Sequence, residues 1–167
     1  YDLTEKLCEV ASQKSISVGF FGSTITNQAK IKKNLKLRFP NLKILYQDCP
    51  LHGEITEFDN KKHISDINKS KIKILFVGLG CPKQETWIMK HKQDLSCVII
   101  GVGAVFDFLA KTKKNAPRLF QILGLEWLFR VCSEPKRLFK RYLLTNPRFL
   151  ILIVNYFISQ LFQKKNE

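Results

Sequence analysis

Apolar positions along the first hundred residues follow two alternating rhythms. Leu3, Leu7 and Val10, with Ala11 beside them, fall at helical spacing and predict a helix over 2–14. Ile16 to Phe21 is a short run of β-formers ending at Gly22-Ser23-Thr24, which reads as a buried strand and its turn. Over 27–39, Ile31 and Leu35 point inward while Lys30, Lys32, Lys33 and Lys36 point outward, a helix stopped by Pro40-Asn41. A second strand covers 42–46, His52-Gly53 marks a loop, and 55–70 reads as a helix. The third strand, 72–77, turns through Gly78-Leu79-Gly80-Cys81-Pro82 into a helix over 83–91. The fourth, 97–102, ends in Gly101-Val102-Gly103-Ala104, and no internal repeat is visible.

Strands that alternate with helices at short intervals predict an α/β fold: a Rossmann-like parallel sheet with helices on both faces. Ligands in such sheets bind beyond the carboxyl ends of the strands. Three of the four predicted strands end there in glycine-bearing turns. The character changes after Ala110, so the expected division is an α/β core over 1–110 and a helical appendage over 111–167. The appendage opens on the basic loop 111–117 and continues in three helical pieces, about 118–133, 135–145 and 147–163, with Pro135 and Pro147 at the starts of the last two. Residues 149–163 carry no charge. As a helix this run spans roughly 22 Å, short of the ~30 Å hydrocarbon core, and suits the membrane interface better than a crossing. A core or dimer-interface helix is the plainer alternative.

Charge sharpens this picture. The net charge is +14 over 167 residues. Up to Ala110 the chain has 16 Lys+Arg against 11 Asp+Glu; beyond it, 12 against 3. The imbalance predicts a polyanionic partner for the last third: anionic lipid, a phosphorylated substrate or nucleic acid. The apolar run at 149–162 has no purpose in a nucleic-acid groove and argues against that last partner. Five cysteines, scattered and with no CxxC pair, argue against a disulfide framework and a zinc site, and no metal or cofactor is expected. The opening residues lack the basic region of a secretory leader.

The candidate chemistry lies in the turns. At 78–85 glycines let the chain turn tightly and Pro82 fixes the entry to a helix, whose first turn offers N–H groups and a positive dipole end to a phosphate or sugar oxygen. Lys83 adds a charge, Gln84 a two-way hydrogen bonder and Glu85 an acceptor for sugar hydroxyls. An ordinary βα connection would look the same. In the second turn Gly103 and Ala104 allow close approach, and Asp107 binds a sugar hydroxyl, positions a neighbouring group or caps the next segment. Gly22-Ser23-Thr24 is a weaker third turn. In the appendage Arg130, Arg137 and Arg141 share one face if the helix runs on, with Trp127, Phe129 and Tyr142 as apolar body. His52, His63 and His91 sit in polar or helical settings, and no HExxH, GxSxG or paired-carboxylate pattern is present.

Three long blocks in order, Val77 to Trp87, Gly101 to Phe108 and Gly124 to Arg130, followed by Glu134-Pro-Lys-Arg137 and Arg141-Tyr142, resemble the signature of the WecG/TagA/CpsF family of glycosyltransferases. The resemblance implies an inverting, metal-independent enzyme. It moves N-acetylmannosamine, its uronic acid or a related hexose from a UDP-sugar to an undecaprenyl-diphosphate-linked sugar, for teichoic acid, capsule or common antigen. It places Pro82, Lys83, Gln84 and Glu85 in the donor-sugar pocket with Gly103, Ala104 and Asp107 nearby. Arg130, Arg137 and Arg141 go to the lipid diphosphate or the anionic membrane surface. The implied location is peripheral, on the cytoplasmic face of the bacterial membrane, and the appendage groove favours a homo-oligomer. Two departures stand out. Lys111 and Asn115 stand where the family usually has glycine and arginine. The segment that holds the family's proposed aspartate base is expected N-terminal to this chain, so the resemblance describes an N-terminally truncated member. A non-catalytic membrane-associated remnant or regulatory protein is the alternative.

Overall fold

The computed structural model describes residues 2–50, 57–133 and 135. Its elements run α1 (Asp2–Gln13), β1 (Ser17–Gly22), α2 (Ile25–Arg38), β2 (Lys43–Asp48), α3 (Glu57–Lys69), β3 (Ile74–Gly78), α4 (Lys83–His91), β4 (Val98–Gly101), α5 (Val105–Leu109), α6 (Arg118–Ile122) and α7 (Glu126–Ser133). The four strands form one parallel sheet in the order β2-β1-β3-β4. The chain divides into two compact units, Tyr1–Lys114 and Asn115–Glu167.

Period-two alternation sorts the first unit into two cores. Val18 and Phe20 of β1 and Phe76 of β3 pack against Cys8 and Ala11 of α1, Ile31 and Leu35 of α2, and Phe106 and Leu109 of α5. The next residues along, Phe21 of β1 with Leu75 and Val77 of β3, pack on the other face against Ile67 of α3 and Trp87 of α4. Helices therefore cover both faces, as the mixed apolar runs of the strands require. Phe20 and Phe76 stack at 5.2 Å between ring centroids, and Phe106 tilts onto Phe20 at 5.7 Å. β2 breaks the rhythm. Val18 pairs with Ile44 but Gly19 pairs with Tyr46, so Leu45 is an extra residue in the ladder. The bulge leaves Ile44 on the α1–α2 side and turns Tyr46 to the α3–α4 side.

Local signals explain the helix ends. Thr24 caps α2, its hydroxyl accepting from the Asn27 N–H at 3.2 Å, and Lys36 and Arg38 occupy the last turn, where the helix dipole favours cations. Arg38 also pairs with Glu5 of α1. α5 is a short helix that the sequence pattern did not suggest.

In the second unit the structure corrects the expectation of one helix over 118–133. α6 stops at Ile122, Gly124 turns the chain at φ 67°, and α7 starts at Glu126. A left-handed glycine is a helix terminator, and no i to i−4 ladder passes through it. The Leu125 N–H closes this turn on the Phe120 carbonyl at 2.8 Å, and Phe120 meets Phe129 edge-on at 6.0 Å. Leu119, Ile122, Leu123 and Trp127 stay exposed. The pieces expected at 135–145 and 147–163 lie outside the described residues, apart from Pro135. Among the described residues no helix is long and apolar enough to cross a membrane.

Burial has a titration consequence. Cys8 is fully buried, and loss of hydration with the nearby Glu5 charge pushes its thiol from an ordinary 9.0 up to about 12. The unfolded chain therefore releases this proton first. Its contribution to stability is complete below pH 9 and is lost between pH 9 and 12, with a slope of up to about 1.4 kcal/mol per pH unit. Cys8→Ala should show a shallower loss of stability over that window in urea melts.

Candidate donor-binding crevice

The sheet order creates a switch point. From β1 the chain crosses to β2 on one side and then returns to β3 on the other. The crevice of such a sheet opens between the carboxyl ends of β1 and β3, here at Gly22-Ser23-Thr24 and Gly78 to Pro82.

At three of the glycines along this edge, Gly22, Gly78 and Gly101, a side chain has no room, whereas Gly80 faces open space. A Cβ on Gly22, at φ 117°, would lie 2.6 Å from the Gly78 carbonyl, and the Ser23 N–H donates to that carbonyl at 3.1 Å. A Cβ on Gly78 would meet the Phe106 ring at 2.6 Å. A Cβ on Gly101 would meet Gln84 Nε2 at 3.1 Å and Ile88 at 3.2 Å.

Gln84 joins the two expected turns. Its buried amide accepts the Gly103 N–H through Oε1 at 2.9 Å and donates through Nε2 to Glu85 Oε1 at 2.9 Å. Both ends of the amide thus have protein partners, and Gln84 holds the 101–104 turn against the start of α4. Pro82 is the N-cap of α4 and supplies no side-chain bond there. Cys81, Pro82, Lys83 and Glu85 are exposed around this uncapped first turn. Gly103 lies at φ 54°, and the half-buried Ala104 leads into α5.

Asp107 sits inside α5 rather than at its cap. Oδ1 accepts from Asn27 Nδ2 at 3.0 Å, and Oδ2 pairs with Lys113 Nζ at 2.8 Å. The same Asn27 amide donates to Ser23 Oγ at 3.0 Å. Asp107 therefore ties the first turn, α5 and the 111–113 loop together. Lys111 in that loop has φ 54°, the left-handed region that glycine enters without cost. In the second unit Arg130 lies on α7, while Arg137 and Arg141 lie outside the described residues.

Two polar groups at this edge escaped the sequence pattern. Gln28, buried in α2, donates to the Gly22 carbonyl at 2.7 Å and the Asp48 carbonyl at 3.2 Å, bridging the ends of β1 and β2. Beyond it Asp48, Tyr46 and the buried His63 form a cluster. Burial, then the Asp48 carboxylate, pushes the Tyr46 hydroxyl well above its usual range. Among the described residues no group of acidic, histidine and cysteine side chains is placed to hold a metal ion.

A doubly wound parallel sheet with a glycine-walled crevice at its switch point defines a Rossmann-like α/β protein. The chain belongs to the WecG/TagA/CpsF family of glycosyl transferases, whose pattern it matches over residues 1–164. It is 31% identical over 138 residues to the N-acetylglucosaminyldiphosphoundecaprenol N-acetyl-beta-D-mannosaminyltransferase of Staphylococcus aureus strain MW2, covering 82% of this chain and 52% of that protein. The proteins of the same name in strains NCTC 8325 and COL match to the same extent. The chain thus spans about half the length of the curated relatives it matches.

The crevice makes a steric prediction. Gly78→Ala forces a methyl group into the buried Phe106 ring and should cost about 1–3 kcal/mol in a urea melt.

Proposed function

We propose that this chain carries the donor half of a glycosyltransferase. It binds a UDP-sugar of the N-acetylmannosamine type for transfer to an undecaprenyl-diphosphate-linked sugar in cell-surface polysaccharide synthesis. The observation that carries the reading is the crevice itself. Two family blocks, Val77 to Trp87 and Gly101 to Phe108, lie on neighbouring strand ends and are clasped by Gln84. The names of the relatives supply the sugar and the lipid-linked acceptor.

In this reading the diphosphate lies over the glycine turns, where backbone can approach closely, with the Lys83 ammonium and the α4 N-terminus facing its charge. Glu85, exposed beside Gln84, accepts sugar hydroxyls. Asp107 acts through Asn27 and Lys113 to hold the first turn in place. In an inverting transfer the acceptor oxygen bonds to the anomeric carbon as the bond to UDP breaks, and a base takes the acceptor proton.

In the same reading the basic second unit faces the membrane, and the protein works peripherally on its cytoplasmic side. The exposed Leu119, Ile122, Leu123 and Trp127 give it an apolar surface beside cationic residues, the combination that draws a protein to anionic headgroups. Arg130, Arg137 and Arg141 meet the lipid diphosphate or those headgroups.

Titration calorimetry of the full chain with UDP-N-acetylmannosamine should show binding, weakened about tenfold in Lys83→Ala by loss of a charge-assisted contact; no heat from the intact chain overturns the donor site. Flotation tests the membrane assignment separately. The chain should rise with vesicles containing phosphatidylglycerol, remain behind with pure phosphatidylcholine, and detach as salt screens the charge. Equal flotation on both vesicles overturns the electrostatic part of this assignment.

A further inference from the structure

The carboxyl end of β2 carries a polar cluster that the donor-sugar residues leave unused. The bulge at Leu45 turns Tyr46 toward α3. There the Asp48 carboxylate meets His63, a buried residue of α3, with Nδ1 3.1 Å from Oδ2. A carboxylate only accepts, so Nδ1 carries the proton. Tyr46 Oη lies 3.3 Å from the same nitrogen. The Cys49 N–H donates to Asp48 Oδ1 at 2.8 Å. Phe21 lies against the His63 ring at 4.9 Å.

The Cys49 N–H and the His63 ring thus hold the carboxylate on the protein side, while 42% of the Asp48 side chain remains open to solvent. Two carboxylate oxygens offer about four acceptor sites, so capacity is left on the open side. An acceptor already oriented by the protein gives up little freedom when a ligand hydroxyl arrives. Its place in the fold selects the ligand. In a βαβ unit whose first turn faces a diphosphate, the ribose falls at the end of the second strand, where an acidic side chain takes its hydroxyls. Asp48 is that last residue of β2, in register with Phe21 immediately before Gly22. The Gln28 amide bonds the carbonyls of both Gly22 and Asp48, which fixes the distance between the two positions.

We propose that Asp48 accepts the ribose hydroxyls of the nucleotide, with His63 and Tyr46 as positioning residues, making the site selective for ribonucleotides. This rests on the UDP-sugar reading above and adds to it the group that recognises the sugar of the nucleoside.

Calorimetry of the full chain with UDP, 2′-deoxy-UDP and 3′-deoxy-UDP tests it. The native chain should bind UDP about tenfold or more tighter than at least one deoxy analogue, the worth of a hydrogen bond to a charged acceptor. Asp48→Ala should bind all three within about twofold of one another, as expected when that bond is gone. His63→Ala should lose part of the discrimination and His63→Asn, which restores an N–H donor, should recover it; a merely structural His63 would shift all three affinities together. Equal binding of the three nucleotides by the native chain overturns the proposal while leaving the donor site standing. No binding of any of them overturns the donor site and this proposal with it. The comparison among ligands on the native chain holds even if a variant fails to fold.

Discussion

The close approach of β1 and β3 at their carboxyl ends is the constraint on which the rest of the site depends. Gly22 has no side chain to hold the Gly78 carbonyl away, and the Ser23 N–H bonds that carbonyl directly. Gly78 in turn lies flat on Phe106, which is buried with Phe20 and Phe76 under the crevice. The mouth of the crevice is therefore backbone resting on an aromatic floor. Such a floor cannot yield by a methyl group without disturbing the packing of three elements. The same geometry keeps the turns that follow β1 and β3 beside each other, which is what an anionic ligand spanning both requires.

Polar side chains around this edge divide by burial. Gln84, Gln28 and Asp107 spend their hydrogen bonds on the scaffold: Gln84 on the Gly103 N–H, Gln28 on the ends of β1 and β2, Asp107 on Asn27 and Lys113. Buried amides left unpaired would cost stability, so their partners are part of the fold's design. Lys83 and Glu85, at the first turn of α4, are exposed and open to a ligand. Asp48 combines the two conditions, fixed on one side by His63 and Cys49 and open on the other.

Element type and order were legible in the chain because they depend on local rules. Apolar periodicity marked β1, α2, β3 and α4 to within a few residues, and Thr24, Pro40 and Pro82 stand near their ends for reasons of backbone geometry. Gly22, Gly78, Gly80 and Gly103 marked the turns. The break between α6 and α7 was missed because apolar side chains continue on both sides of Gly124, and periodicity outweighed a single left-handed residue. Asp107 was readable as polar and near a turn, but its partner Asn27 lies 80 residues earlier.

The sequence by itself therefore determined the alternation of strands and helices, the glycine turns and the family blocks, since each is written in neighbouring residues. Only the tertiary structure decided the strand order β2-β1-β3-β4, and with it which turns face each other across a crevice. It also decided the bulge at Leu45, an event in the pairing of two strands and not in either strand alone. That one-residue slip sends Tyr46 to the face of the sheet where α3 holds His63. Side-chain direction along a strand changes with every residue of register, so no local pattern in β2 carries that information.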